Sequence, residues 1–137
     1  MSIPIFFQRY QNGAPASFDR TTIANILGSA AVMDGDCIGA IRFSDSDGGE
    51  VYGADAESFE QLSFDQGRGK RFFDALWRIA DDTNAFIYWL GDGSCSAVTK
   101  QAVIAELPPE IVRDAGPVKV VRTGAELDAA IYSGSYW

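Results

Sequence analysis

The sequence predicts an α+β fold, in which helices pack on a mostly antiparallel sheet and residues 1–137 form a single domain. The strongest helical signal is the broad apolar stripe from Phe72 to Ala80, which has the spacing of an amphipathic helix. Residues 37–43 alternate with period two, as in a half-buried strand. The apolar run at 85–90 is typical of a central strand covered on both faces. Hairpin turns and helices mixed along one chain indicate α+β.

The first half of the chain predicts one helix among several short strands. Ser17 or Asp19 can cap this helix, and Gly28 is placed to end it. Its apolar face contains Ile23 and Leu27. Strands are predicted at residues 3–7, 31–33, 37–43, 50–52 and 61–64, with turns at residues 11–16, 34–36 and 44–49.

The second half predicts the main helix over residues 69–82 and two shorter ones. A helix over residues 99–107 is expected to stop at Pro108 and Pro109. Thr123 and Glu126 have the spacing of a capping box, which predicts a final helix of two to three turns. Further strands are predicted at residues 85–90, 96–98 and 118–121, a turn is predicted at residues 91–94, and the tail at 132–137 ends in a tryptophan that is expected to dock.

The excess negative charge is confined to one segment of the chain. The net charge is −8, and the segment from residue 34 to residue 65 accounts for all of it. Its only basic residue is Arg42. A field of one sign attracts cationic partners and repels nucleic acid and anionic membranes. The nine acidic residues are Asp34, Asp36, Asp45, Asp47, Glu50, Asp55, Glu57, Glu60 and Asp65.

Several function classes are disfavoured by what the sequence lacks. It contains no histidine, so the Ser-His-Asp and Cys-His arrangements and the commonest zinc ligand are excluded. It has no apolar run of the length of a membrane span and no signal-peptide pattern at its start, so we expect a cytoplasmic protein. Cys37 and Cys95 fit two buried thiols better than a disulfide, although the sequence leaves the disulfide open.

Three local motifs suggest chemistry, and each also has a structural explanation. The acidic loop that begins at Asp45 is similar to a calcium loop but fails at three of the required positions, so we predict a solvated hairpin loop and no metal site, with a weak cation site of another kind as the alternative. Cys95 lacks a histidine to activate it, so it is not expected to be a nucleophile. A candidate anion-binding site lies at the start of the main helix, and an ion pair with the acidic segment is the alternative; its residues are Gly67, Arg68, Gly69 and Lys70.

The central stretch at residues 63–99 (SFDQGRGKRFFDALWRIADDTNAFIYWLGDGSCSAVT) is similar to small stand-alone bacterial proteins. With its small size, its acidity and its lack of histidine, the chain resembles the immunity proteins of toxin–immunity systems, including those of contact-dependent growth inhibition. The resemblance implies an inhibitor that binds and neutralises a cognate toxin, often a basic nuclease. It carries no family residues onto this sequence.

The sequence therefore predicts an acidic protein-binding module without a catalytic site or cofactor, which occludes the active site of a cationic toxin or enzyme. The expected partner is a basic protein, and neither nucleic acid nor a membrane is expected. The alternatives are a small enzyme that uses carboxylates with a divalent metal, and a small-ligand or anion-binding protein. The predicted partner-binding residues are Asp45, Asp47, Glu50, Tyr52, Asp55, Glu57 and Glu60.

Overall fold

The computed structural model describes residues 3–91 and 95–132. The strands in these residues are β1 (Ile5–Gln11), β2 (Ala14–Ala16), β3 (Phe18–Asp19), β4 (Ala31–Asp34), β5 (Cys37–Ser44), β6 (Asp47–Tyr52), β7 (Ser58–Phe59), β8 (Gln61–Arg68), β9 (Ala85–Trp89), β10 (Ser96–Val98) and β11 (Lys119–Val120). The helices are α1 (Arg20–Leu27), α2 (Lys70–Thr83), α3 (Gln101–Ile104), α4 (Pro109–Ala115) and α5 (Gly124–Tyr132), with a 3-10 turn at Gly28–Ala30.

One large sheet organises the molecule. Its strand order is β11-β10-β9-β1-β8-β6-β5-β4, and β2 extends β1 as a hairpin. All neighbours in it are antiparallel except β10 and β11, and β3 and β7 form a separate two-stranded sheet. The predicted α+β class with a mostly antiparallel sheet is confirmed.

The helix ends follow the sequence signals closely. Asp19 caps α1 by accepting a hydrogen bond from the backbone N–H of Thr21 at 2.9 Å, and Gly28 ends the helix with a positive φ. At α5, the backbone N–H of Glu126 donates to the Thr123 hydroxyl at 3.0 Å. These are the caps that the sequence predicts.

The two faces of the sheet are covered unequally. Helices α1, α2 and α5 lie on one face and bury the main core, which includes Phe7, Phe72 and Leu76. On the other face, α3 and α4 enclose a second apolar cluster around Phe86 and Val98. In residues 3–91 and 95–132, no helix packs closely on this other face of β8, β6, β5 and β4. That uncovered half of the sheet is called the open face below.

Several expected boundaries are wrong. Strand β1 continues to Gln11, past the predicted end at residue 7, and α3 covers only Gln101–Ile104 of the helix predicted over residues 99–107. Strand β6 begins at Asp47, within the loop predicted over residues 44–49, because Gly48 and Gly49 pair with neighbouring strands despite their low strand propensity. Strand β8 continues to Arg68, past the predicted end at residue 64, through a bulge where Gln66 has a positive φ. Pro109 starts α4, which the sequence did not predict, because proline is well suited to the first helical turn.

The predicted turn at residues 11–16 is a hairpin. Its turn is made by Asn12 and Gly13, both with positive φ, and the chain then returns as β2. The predicted turn at residues 91–94 and the tail beyond residue 132 lie largely outside the described residues. None of the described helices is long and apolar enough to cross a membrane.

Candidate functional site

Strand β6 divides its side chains between the core and the open face. Val51 is buried, and a Cβ placed on Gly49 would meet the ring of Phe72. The side of β6 that contains these two residues therefore faces α2. Because side chains alternate along a strand, Gly48, Glu50 and Tyr52 point to the open face. The predicted partner-binding residues of β6 therefore lie on two different sides of the sheet.

Asp47 lies on the core-facing side and caps α2. Its carboxylate accepts hydrogen bonds from the backbone N–H of Phe72 at 2.9 Å and of Arg71 at 3.1 Å. A carboxylate at this position satisfies otherwise unpaired N–H groups and stabilises the positive end of the helix dipole. Gly69 allows the approach, because its φ is +100° and a Cβ there would overlap the Asp47 carboxylate. Asp47 is thus used within the fold.

The same geometry explains the glycines of the candidate anion-binding site. The N–H groups of Arg71 and Phe72 already hold the chain's own carboxylate. The Lys70 ammonium pairs with Asp74 at 2.8 Å, and the guanidinium of Arg68 donates to the backbone carbonyl of Asp45 at 3.0 Å. A Cβ on Gly67 would overlap the Phe72 ring. The described contacts between the helix start and the acidic segment thus involve backbone groups, and Lys70 pairs with an aspartate of its own helix. Both the ion pair with the acidic segment and the binding of an external anion stay predictions.

Charged side chains form two rows across the open face. Arg42 on β5 and Arg68 on β8 both lie opposite Gly48 on β6. The next row places Glu50 directly opposite Asp65. Adjacent strands are about 4.8 Å apart, so the two arginines are separated by about 10 Å across the glycine. An open groove of about 790 Å³ runs over both rows and is lined by residues that include all four of these side chains.

Tyr52 and Glu50 form a polar pair on this face. The Tyr52 hydroxyl donates to the Glu50 carboxylate at 2.5 Å, and 54% of Tyr52 is exposed. This hydrogen bond raises the pKa of Tyr52, with smaller contributions from desolvation and from the negative charges of Glu50 and Asp65. The phenol is consequently a neutral donor at pH 7, held in place beside a carboxylate.

Five exposed acidic residues lie at the end of the sheet where β6 ends. The backbone N–H of Ile38 donates to the carbonyl of Ala54 at 3.2 Å, which brings the β4–β5 turn beside the loop that follows β6. The turn before β8 is adjacent, since Tyr52 lies opposite Ser63. No ion pair involves these carboxylates in the part of the chain that the structure describes. We call this group the acidic end; its residues are Asp34, Asp36, Asp55, Glu57 and Glu60.

The opposite end of the same strands has mixed charge. Its acids are Asp45, in the β5–β6 turn, and Asp47. The basic side chains there come from the ends of β5 and β8 and from the first turn of α2. We call this group the mixed end; its residues are Asp45, Asp47, Arg42, Arg68, Lys70 and Arg71. The two ends are separated by the length of β6, roughly 17 Å.

The predicted partner-binding residues therefore do not form one surface. Asp55, Glu57 and Glu60 belong to the acidic end, together with Asp34 and Asp36, which the sequence analysis did not select. The period-two register of the two hairpins is the sequence signal that would have placed those two aspartates beside Asp55. Glu57 shares a groove with Arg9 and Arg20.

The remaining sequence motifs are also located. Cys37 and Cys95 are both in the thiol form, and each is partly exposed, so the expectation that both are buried is wrong. Across residues 3–91 and 95–132, no group of three or more Cys, Asp or Glu side chains is arranged to hold a metal ion. Comparison of the chain with protein-family models, curated proteins and solved structures found no match.

Proposed function

We propose that this protein is a protein-binding module of the immunity type, which neutralises a cationic toxin or enzyme by occluding its active site. The proposal places the contact surface at the acidic end and includes a cytoplasmic location. The observation that carries it is that five exposed carboxylates, from the end of β4 and from three connecting segments, lie at one end of the sheet without an ion pair among the described residues.

Electrostatic repulsion makes such a cluster unfavourable for folding alone. Like charges that share a surface repel one another, and nothing in the described contacts of these five side chains compensates for it. A partner that brings lysine and arginine side chains would relieve the repulsion and replace it with attraction. This gives fast association that weakens as salt increases.

Tyr52 supplies the other part of a binding surface. It ends β6 next to the loop that contains Asp55, and it is the largest exposed aromatic side chain among the described residues. Tyrosine is enriched among the residues that dominate binding energy. We propose that Tyr52 packs against the partner while the acidic end contacts its basic residues.

Occlusion follows from the chemistry of the proposed target. An enzyme that acts on an anionic substrate, such as a nuclease, lines its active site with arginine and lysine. Carboxylates that occupy those side chains compete with the substrate phosphates. The inhibitor then needs no catalytic group of its own.

The test is capture of a partner by tagged protein from a lysate of the source organism, at low and then moderate salt. The variant Asp55→Lys plus Glu60→Lys reverses charge at the acidic end. The matched control Glu110→Lys plus Asp114→Lys makes the same change in net charge on α4, which supplies no residue of the acidic end. We expect one stoichiometric basic protein with the wild type and the control, and its loss with the acidic-end variant.

Equal capture by all three proteins would contradict the proposed surface. If only background that dissociates at moderate salt is captured by the wild type, the proposal of a basic protein partner is contradicted as well. In that case, the acidic end acts only to keep the chain soluble.

A further inference from the structure

A second site, independent of the acidic end, lies between the sheet and α4. It is a cavity of about 450 Å³ on the face covered by the second apolar cluster. Phe86 and Tyr88 of β9 line the sheet side, and Ile111 and Ala115 of α4 line the opposite side. The volume lies within the range of roughly 300–1,000 Å³ that is usual for small-molecule sites.

The aromatic wall of this cavity is ordered by stacking. Tyr88 stacks on Phe86 with ring centroids 5.8 Å apart, and on Phe6 of the neighbouring strand at 5.2 Å. Gln61 donates a hydrogen bond to the Tyr88 hydroxyl at 3.2 Å and so fixes the ring. A rigid aromatic wall facing aliphatic side chains suits a flat, apolar ring better than a flexible chain.

Ser96 gives the cavity its one unusual polar atom. The residue is 1% exposed and lines the cavity, and its hydroxyl has no hydrogen-bond partner in the described structure. A buried hydroxyl without a partner is costly to leave unsatisfied. Every other buried side-chain N or O atom of the described residues has a partner. The exception thus coincides with a cavity large enough for a ligand.

The charged side chains around the cavity indicate which class of ligand it disfavours. Asp114 lines the cavity, and Glu110 is close enough to Tyr10, on the same face of the sheet, to act on its hydroxyl electrostatically. These carboxylates repel an anion. The cavity thus favours an uncharged compound over an anionic one.

We propose that this cavity binds a small, planar, uncharged aromatic compound, which satisfies the Ser96 hydroxyl through one ring N–H or O–H group. The ring lies between Phe86 and Tyr88 on one side and Ile111 and Ala115 on the other. The site uses none of the residues of the acidic end, so it is independent of the proposed function.

The test uses indole as the probe and ligand-observed NMR with the full chain. We expect saturable binding of indole to the wild type and weaker binding of indene, which has the same shape but lacks the N–H. Ser96→Ala should weaken indole about tenfold, the effect of one hydrogen bond, and leave indene unchanged. Ser58→Ala, on an exposed strand outside the cavity, should change neither affinity.

Two further measurements distinguish a loss of binding from a loss of folding. Ser96→Ala should raise the melting temperature, because it removes a buried polar atom without a partner. Ala115→Trp fills the cavity from the partly exposed end of α4 and should abolish binding while the protein stays folded. The absence of saturable indole binding to the wild type, or equal indole affinity of the wild type and Ser96→Ala, would overturn the proposal.

Discussion

The acidic end and the mixed end lie at opposite ends of strands β5, β6 and β8. Both contain residues of the acidic segment at 34–65. At the mixed end, the Asp47 carboxylate accepts hydrogen bonds from backbone N–H groups in the first turn of α2, and four basic side chains lie at the same end of the sheet. At the acidic end, five carboxylates have no such role among the described contacts. Within the acidic segment, Asp47 thus stabilises the fold, and we propose that the carboxylates of the acidic end contact a partner.

The difference has a simple origin in the strand register. Asp47 lies on the core-facing register of β6, where a carboxylate is kept only if the fold pairs it with donors. At the acidic end, Asp34 is the last residue of β4 and the other four acids lie in turns or loops, and no described backbone N–H group donates to any of these five carboxylates. The described hydrogen bonds therefore distinguish Asp47 from the carboxylates of the acidic end, which a count of charges does not.

The largest effect is expected from Gly67→Ala, which tests the packing that holds the mixed end together. The added methyl group would overlap the Phe72 ring in the core, so the free energy of unfolding should fall by about 3 kcal/mol. Gly39→Ala is the control, since its Cβ would meet only ordinary contacts, the nearest at 3.5 Å. Urea denaturation measures both, and equal stabilities would show that Phe72 does not pack on Gly67.

A smaller effect is expected from removing the Asp47 cap. Asp47→Ala should lower the free energy of unfolding by about 1–2 kcal/mol, because the N–H groups of Arg71 and Phe72 lose their acceptor. Asp55→Ala removes the same charge at the acidic end and should change stability by less than about 0.5 kcal/mol. Similar losses in both variants would remove the distinction between the two ends.

This cap also changes how the acidic segment must be tested. From the sequence alone, charge reversal at Asp45 and Asp47 is the natural test of partner binding. In the structure, a lysine at residue 47 would place a cation at the positive end of α2 and disturb the fold. Charge reversal at Asp55 and Glu60 is the better test, because a loss of binding is then not mixed with a loss of stability.

The smallest expected effect concerns the hydrogen bond between Tyr52 and Glu50 on β6. Because the hydrogen bond to Glu50 is the main reason for the raised pKa of Tyr52, Glu50→Gln should lower that pKa toward the ordinary value. The variant removes both the charge and the strong acceptor. Titration of the tyrosine ring carbons by NMR measures it, with Tyr88 as an internal control whose pKa is raised by burial instead. An unchanged Tyr52 titration would mean that Glu50 does not hold the hydroxyl.

Local signals in the sequence predict much of the fold. The caps at Asp19 and Thr123, the stop at Gly28 and the stripe of α2 each depend on residues a few positions apart, and all are confirmed. The extents of β6 and β8 were missed because Gly49 and Gly67 have poor strand propensity, and only the Phe72 ring that packs on them explains their presence. Contacts of that range are not visible in a single sequence.

The candidate site was predictable only in part. The acidic segment is visible in the sequence, and Asp55, Glu57 and Glu60 all lie at the acidic end, while their contact with a partner stays a prediction. The roles of Asp34, Asp36 and Asp47 depend on which turns meet and on which face of β6 a side chain occupies. Nothing in the sequence predicts the unpartnered hydroxyl of Ser96, because its lack of a partner depends on how β10 and α4 pack.

The most direct test of the acidic end as a docking surface is the association rate with the captured partner, measured by stopped flow at increasing salt. The wild type and the Glu110→Lys plus Asp114→Lys control should associate fast and slow down steeply with salt. Asp55→Lys plus Glu60→Lys should associate at least tenfold more slowly at low salt and show a flat dependence. Identical salt dependence in all three proteins would contradict the account, because steering would then not depend on the acidic end.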